Sequence, residues 1–431
     1  MAFIRIRSSQ KNKAKGIEMI KQKSHIIPFK QSKRKAPILF MDAKVKKRNQ
    51  QQRNNVDIMK NACYFGFLRY CLNNDLPLPL SSEKIDWKKM MIWAERQSIV
   101  GIIFHGIKKA GKSLKIPSEV LFKWIGNVNL IENQNRQLNN RCVKLTDHLK
   151  QYGFDTCILK GQGNALAYPN ALSRTPGDID VWVMPKSDGR CKTEDIKRVI
   201  RFARGKNPKA KACYHHVDYG EFNGIEVELH YRPSFMFNPI HNGRLQKWYS
   251  KMADGGWLIA DLPENAGSIK IPNREFNIIF QLSHIYNHLL HEGIGLKQVV
   301  DYFYLLKSAG RVQMDDVSNT LRHLGLEKIA GAVMWVLGYL VYGEGCMVHG
   351  SKRDDWMICE PEEKRGKVLL AEIMKGGNFG HYDAENQKAN SAVKKNIQRV
   401  KRDIRMMRYF PSECLWEPFF RLYHWGWRLA H

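Results

Sequence analysis

Two short stretches decide the fold: Leu159-Lys160-Gly161 and, seventeen residues after the glycine, Asp178-Ile179-Asp180-Val181-Trp182-Val183. Successive side chains of a β-strand point to opposite faces, so the two aspartates share one face of a predicted strand. Two carboxylates this close repel each other unless a cation lies between them. Hard oxygen ligands suit Mg²⁺, which takes water and phosphate oxygens as its remaining ligands. A glycine turn ahead of the pair lets the backbone approach those phosphates closely.

The residues around these stretches predict a small α/β unit. Apolar periodicity predicts a helix over about 118–152, a short strand over 156–159 and a second helix over 193–203. Residues 213–219 and 225–231, joined by 220–224, predict a β-hairpin. Along its second strand, alternation places Glu226, Glu228 and His230 on one face. Glu228, with Glu226 as the alternative, therefore offers a third carboxylate, and two metals flanking a reacting phosphate need about this set of ligands.

Several short motifs together resemble a known family. They are Leu159-Lys160-Gly161, Tyr168-Pro169, Arg174, Gly177-Asp178-Ile179-Asp180 and Glu228-Leu229-His230-Tyr231-Arg232. The chain is similar, from about residue 58 onward, to the uncharacterised bacterial nucleotidyltransferases of the DNA polymerase beta superfamily. Two positions depart from the wider superfamily: Lys160-Gly161 stands where Gly-Ser is usual, and Glu228 stands where aspartate is usual. The first departure changes the expected contacts with a triphosphate, and the second lengthens the third acidic arm.

The resemblance implies a role for each candidate residue. Asp178, Asp180 and Glu228 are the expected catalytic residues and the expected ligands of two Mg²⁺ ions, with Mn²⁺ as an alternative. The expected contacts with the nucleotide phosphates come from Lys160, Gly161, Gly163 and Arg174. Since the clustered carboxylates repel each other, their charge also predicts that replacing both aspartates by asparagine does not destabilise the metal-free protein.

The implied reaction is transfer of a nucleoside monophosphate from an NTP to an acceptor, which the sequence leaves open as a small molecule, a protein or RNA. Two alternatives stay open. One is a toxin–antitoxin-type transferase that acts on tRNA or a partner protein, and the other is an inactive nucleotide-binding interaction protein. The implied fold class is α+β, with a small mixed β-sheet as nucleotidyltransferase core, flanking helices, and helical regions at both ends.

Composition adds an uneven positive charge. Of the net +29 on 431 residues, residues 1–55 contribute +14, from sixteen Lys/Arg against two acidic residues. Such a stretch is typical of a disordered tail that is solvated or binds nucleic acid or anionic membrane, or of translated sequence upstream of a start at Met41 or Met59. The longest apolar run, 329–342, is too short for the ~20 residues that span a bilayer, so it predicts a buried helix. Nine scattered cysteines without a CxxC pair favour a cytoplasmic location and disfavour zinc.

The predicted organisation has four parts: a basic disordered tail, 1–57; an N-terminal helical segment, 58–115; the catalytic core, 116–236; and a C-terminal helical domain, 237–431. Within the last part, helices are predicted over 274–290, 296–308, 314–324, 326–342, 361–374 and 392–407. His284 and His288, one helical turn apart, are candidates to face the site, with Asp301 as their partner. The aromatic residues between Trp416 and Trp427 predict a helix packed into the core, with base stacking or a membrane interface as alternatives.

Overall fold

The computed structural model describes residues 61–184, 192–253, 255–309, 314–343, 355–383, 387 and 391–431. All of them belong to one unit, Arg53–His431. The predicted tail, 1–57, and the question of its translation start therefore lie outside the described residues. The predicted domain boundaries at 115 and 236 stay predictions.

A four-stranded mixed sheet in the order β1-β2-β4-β3 forms the centre of the α/β part. The strands are β1 (Asp155–Ile158), β2 (Ile179–Met184), β3 (His216–Phe222) and β4 (Ile225–His230). The neighbours β2 and β4 run parallel, whereas β1–β2 and β3–β4 are antiparallel. Every residue of β2 is buried because both faces of this inner strand are covered. The predicted strands and the α+β class are confirmed.

The hairpin β3–β4 is confirmed with a shorter connection than the predicted five residues. Asn223 and Gly224 both have positive φ, 50° and 79°, as a two-residue type I′ turn requires. The strand β3 continues to Phe222 across an irregularity between Asp218 and Gly220. Gly220, whose φ is +90°, absorbs this bulge, so a glycine that resembles a turn residue in sequence lies inside the strand.

Helices precede the sheet and flank it. They are α1 (Ala62–Leu72), α2 (Trp87–Gln97), α3 (Val100–Ala110), α4 (Ser118–Gln151), the one-turn α5 (Gln162–Ala165) and α6 (Thr193–Lys206). In the 34-residue α4, the buried Val120, Trp124 and Val128 recur at helical spacing, which confirms the predicted helix.

One helix and one two-stranded sheet between residues 237 and 272 were not predicted from the sequence. Helix α7 (Pro239–Met252) buries only Leu245 and Tyr249, so its periodicity is weak. Its start was nevertheless readable, because Asn238 caps the helix with Pro239 at the first position. Strands β5 (Trp257–Asp261) and β6 (Ser268–Pro272) form a separate two-stranded sheet. Leu258 and Ile259 are adjacent and both exposed, so β5 lacks the alternation that signals a strand.

Six C-terminal helices lie within two residues of their predicted bounds, and the aromatic segment 416–427 lies in a seventh helix. They are α8 (Arg274–His291), α9 (Leu296–Ala309), α10 (Met314–Leu324), α11 (Glu327–Tyr342), α12 (Glu363–Gly376), α13 (Ala392–Met406) and α14 (Pro411–Ala430). The apolar run 329–342 is almost entirely buried in α11, as expected. Among the described residues, no helix has the length and apolar character needed to cross a membrane.

The expected core packing of the C-terminal aromatic residues is wrong for most of them. Of the aromatic residues of α14, only Phe420 and Trp427 are buried. Trp416, Phe419 and Trp425 are 41%, 65% and 60% exposed. The helix is present, but its apolar residues mostly face outward. The periodicity of apolar residues predicts a helix here without telling which side is covered.

Candidate active site

The register between β2 and β4 brings the predicted carboxylates together. Asp180 pairs with Glu228 across these parallel strands, and Asp178 lies just ahead of β2 on the same face. One oxygen from each of the three carboxylates lies within 4.8 Å of the others. Glu226, the alternative third acid, is exposed and lies opposite Glu221 at the far end of β4. The structure thus brings Asp178, Asp180 and Glu228 to one place and leaves Glu226 apart.

The donor set fits a hard divalent cation. Three carboxylates within bridging distance, with Asp178 exposed toward solvent, provide the oxygen ligands that Mg²⁺ or Mn²⁺ prefers. The charge of Asp180, together with burial, raises the pKa of Asp178 above its ordinary value. The protein therefore does not fully compensate the repulsion between these two carboxylates. This is expected of a site that holds a cation.

Asp180 is held by two basic side chains. Its Oδ1 lies 3.1 Å from Lys160 Nζ and 3.0 Å from His230 Nε2, and all three side chains are largely buried. Burial alone would raise the pKa of Asp180, but Lys160 and His230 outweigh it and hold that pKa well below its ordinary value. Burial likewise opposes the charge on Lys160, yet the neighbouring carboxylates raise its pKa. The predicted phosphate ligand Lys160 is thus an ion-pair partner of Asp180, a predicted catalytic acid.

A row of histidines extends from this ion pair. Lys160 Nζ contacts His284 Nε2 at 3.1 Å, and His284 contacts His288 at 2.8 Å. Burial and the charge of Lys160 keep the pKa of His284 well below its ordinary value, so its ring is neutral and can accept from the lysine. His284 therefore reaches the site through Lys160. Asp301 does not pair with either histidine, which corrects the expected pairing.

Glu228 contacts two imidazoles, that of His216 and that of His230, which also binds Asp180. His216 Nδ1 lies 3.3 Å and His230 Nε2 lies 3.2 Å from Glu228 Oε2. His215 contacts Cys213 Sγ through Nδ1 and His216 through Nε2. One donor atom from each of Cys213, His215 and His216 lies within 4.8 Å of the others, so a second group of possible metal ligands adjoins the carboxylates. The sequence signal for His216 and His230 was their place on the two strands of the hairpin, on the face of Glu228.

The two glycines have different surroundings. Gly161 lies at the end of the loop that follows β1 and has a φ of +68°. A Cβ added there would lie 3.8 Å from the backbone carbonyl oxygen of Asp178. This glycine brings the first motif against the second, and its contact with phosphate stays a prediction. Gly163 faces β6 instead, where an added Cβ would lie 3.0 Å from the side chain of Ile271. Its role is close packing of α5, so the predicted approach of Gly163 to phosphate finds no support.

Arg174 does not line the cleft. Its guanidinium forms a bidentate pair with Asp301, with Nε–Oδ1 and Nη2–Oδ2 distances of 2.9 and 2.8 Å. Tyr168 donates to the same carboxylate at 2.5 Å. Both charged side chains are about 5% exposed, so the pair is sequestered between the loop before β2 and α9. Arg174 forms a buried ion pair here, so its geometry does not support the predicted contact with substrate phosphates.

Lys297 is a buried cation next to the site that the sequence did not reveal. It is 7% exposed, and its Nζ lies 3.9 Å from where a Cβ on Gly177 would be, directly before Asp178. Burial, reinforced by the charge of Arg174, lowers the pKa of Lys297 to about 7. In sequence it is one lysine at the start of an apolar helix, and only the fold places it beside the acidic loop.

Replacing Lys297 by methionine is expected to stabilise the protein at pH 6 by on the order of 2 kcal/mol. Below pH 7 the lysine is charged in both the folded and the unfolded chain, so the folded protein carries the full cost of burying that charge. Between about pH 7 and 10.5 only the unfolded chain is protonated, and the gain from the substitution declines. Urea unfolding of both proteins at pH 6 and pH 9 measures this. A gain that grows with pH would contradict the assignment.

Asp178 and Glu228 line a cleft of about 1230 Å³. Eight of the fifteen histidines of the chain line the same cleft. The opposite wall is formed by α13 and α14 and is basic. It contributes Lys395, Arg399, Arg402, Arg421 and Arg428. The cleft therefore has an acidic end that could hold a cation and a wall suited to anionic groups.

Residues 83–341, more than half of the chain, match the profile of a protein family described as "uncharacterised nucleotidyltransferase". The chain belongs to this family, and its small mixed sheet with many helices is consistent with such a fold. The match includes β1, β2 and β4 with all three carboxylates, and it stops at α11. No curated protein and no solved structure matches the chain.

Proposed function

We propose that this protein transfers a nucleoside monophosphate from an NTP to an acceptor at Asp178, Asp180 and Glu228. The observation that carries the proposal is the convergence of these three carboxylates within 4.8 Å, on adjacent parallel strands at one end of a large cleft. Divalent cations held by this set would neutralise the triphosphate and favour ionisation of the attacking group. The acidic set alone would repel a triphosphate, so the proposal requires this cation.

The side chains of the site have distinct tasks in the proposed reaction. A hydroxyl of the acceptor attacks the α-phosphorus of the NTP, a new P–O bond forms, and the bond to the β-phosphate breaks with release of pyrophosphate. Glu228 accepts the proton of the hydroxyl, and its contacts with His216 and His230 hold the carboxylate in place. Lys160, the lysine beside the acids, supplies positive charge for the leaving pyrophosphate.

A nucleic-acid acceptor is the second candidate, as in the toxin–antitoxin-type alternative. Five Lys/Arg side chains line one wall of the cleft, more than a triphosphate alone requires. Cations arranged along a groove are typical of proteins that bind a phosphate backbone. The inactive alternative is favoured by a different observation. Lys160 and His230 both bind Asp180, so the protein itself compensates the charge of this carboxylate.

Mg²⁺ together with the preferred NTP is expected to raise the melting temperature of the protein, because a ligand at about 100 times its Kd stabilises by about 2.7 kcal/mol. Each of the four labelled NTPs would be tested with Mg²⁺ or Mn²⁺, followed by transfer of the labelled nucleotide to lysate RNA, protein or small molecules. The matched variants are Asp178→Asn and Glu226→Gln, which neutralise one acid inside the cleft and one outside it.

Asp178→Asn should abolish both the shift and the transfer, whereas Glu226→Gln should retain both. A shift without transfer to any fraction would support the inactive nucleotide-binding protein. Labelled RNA that disappears after nuclease treatment would support the nucleic-acid acceptor. If no NTP shifts the wild type with either metal, the proposed function is wrong.

A further inference from the structure

In helix α14 the acidic residues face the protein, and most of the apolar residues face solvent. Glu413 and Glu417 are each 1% exposed. Glu413 binds His241 at 2.8 Å, and Glu417 binds Arg421 at 2.9 Å. The opposite side, called here the outer face of α14, is 41–72% exposed. It comprises Leu415, Trp416, Phe419, Leu422, Trp425 and Leu429. An exposed apolar surface of this extent is rare on a protein without a partner and marks an interaction site.

The rotation of α14 about its axis is fixed by specific contacts. The Tyr214 backbone N–H donates to His424 Nε2 at 3.1 Å. Phe420 stacks on Phe235 with ring centroids 4.9 Å apart. The backbone N–H groups of Phe237 and Asn238 donate to Glu413. Turning the helix to bury its outer face would break these bonds and expose two buried carboxylates. The outward position of the apolar residues is therefore a property of the fold.

Helix α13, which packs against α14, repeats this arrangement. Ile397, Val400 and Ile404 are 49%, 42% and 69% exposed and recur at spacings of three and four, so they form one stripe. Exposed cations accompany the stripe and the outer face of α14. They are Lys394, Lys395, Lys401, Arg408 and Arg428. The acidic residues of the described parts of both helices, namely Asp403, Glu413 and Glu417, are all buried.

We propose that the outer faces of α13 and α14 dock on the surface of an anionic lipid bilayer. Apolar side chains would enter the interfacial layer, tryptophan would lie at the level of the headgroups, and Lys/Arg would meet anionic lipid. Charge selects this occupant. A second copy would bring the same exposed cations together, and residues 1–55, with a net charge of +14, carry the same sign. This inference does not depend on the proposed transfer reaction.

Docking would also place the cleft at the membrane surface. Leu422, Trp425 and Arg428 belong both to the exposed side of α14 and to the lining of the cleft. The cleft thus opens next to the proposed lipid contact. An acceptor that is itself anchored in the bilayer could reach the cleft without leaving the membrane.

The test is co-sedimentation of the full chain with vesicles. With phosphatidylcholine vesicles that contain about 30% phosphatidylglycerol, the protein should sediment, and its tryptophan emission should shift to the blue. Pure phosphatidylcholine vesicles should bind at least tenfold less. Raising salt from about 50 mM to about 500 mM should weaken binding through screening, and the apolar contacts should leave a residual fraction bound.

The double variant Phe419→Glu/Leu429→Glu changes two exposed residues of α14 that do not line the cleft, and binding should fall at least tenfold. Its matched control is Phe122→Glu/Leu130→Glu, an equally exposed pair on α4, which should bind like wild type. Equal binding by wild type and the α14 variant would show that the basic N-terminal residues, not this surface, bind lipid. A wild-type dimer that the α14 variant dissociates, without vesicle binding, would identify a second copy as the occupant. Either result, or no vesicle binding at all, overturns the proposal.

Discussion

Asp180→Asn is expected to lower the stability of the metal-free protein by about 3 kcal/mol, whereas Asp178→Asn is expected to leave it unchanged or raise it. Asp180 carries the negative charge that compensates two buried basic groups, Lys160 at 3.1 Å and His230 at 3.0 Å. Asparagine keeps an oxygen acceptor but removes that charge. Asp178 is different, because its neighbour Asp180 raises its pKa and neutralisation relieves repulsion.

Urea unfolding of the three proteins at neutral pH, without metal, measures these differences, and the pH dependence adds a second test. Because the folded-state pKa of Asp180 is depressed, its contribution is present above the pKa of the unfolded chain, near 4, and is lost as pH falls through the folded value. The difference between wild type and Asp180→Asn should therefore shrink in strong acid. Glu226→Gln serves as the control and should change stability by less than about 0.5 kcal/mol. Equal losses for both aspartate variants would show that Asp178 is structural too.

The expected difference in stability between Asp178→Asn and Asp180→Asn shows which part of the site the sequence could predict and which part it could not. Alternation along a strand places Asp178 and Asp180 on one face, and the fold confirms their convergence with Glu228. The same pattern predicts that neutralising both is harmless to the metal-free protein. We expect a different result at Asp180, because Lys160, on a different loop, forms an ion pair with that carboxylate. Contacts of this kind depend on tertiary packing, which a periodic pattern does not contain.

The predicted roles of two other site residues lack support from the structure for the same reason. Arg174 and Gly163 have the residue types that phosphate sites use, and only the positions of α9 and β6 show that each has another partner. Lys297 was not predicted, because a lysine at the start of an apolar helix carries no functional signal in the sequence. Only the fold shows that it is buried. Helix and strand positions, which depend on local spacing, were predicted far better than partners distant in sequence.

Arg174→Met is expected to lower the stability of the protein by about 4 kcal/mol, because it leaves the buried Asp301 carboxylate with Tyr168 as its remaining bonded side chain. Asp301→Leu should lower the stability by a similar amount, because it leaves the buried guanidinium of Arg174 without its carboxylate partner. The double variant Arg174→Met/Asp301→Leu should cost at least about 2 kcal/mol less than the sum of the two single variants. Chemical denaturation of the four proteins completes this cycle.

An exposed pair provides the control for this cycle. Arg136 Nε lies 3.0 and 2.8 Å from the two carboxylate oxygens of Glu264, but these side chains are 39% and 51% exposed, so Arg136→Met should cost less than about 1 kcal/mol. A phosphate-binding Arg174 would give the reverse pattern. Stability would change little without nucleotide, the coupling with Asp301 would vanish, and the stabilisation by Mg²⁺ and NTP would be lost. Burial of the pair at about 5% exposure is the reason to expect coupling, because a guanidinium so sequestered cannot reach the cleft without abandoning Asp301.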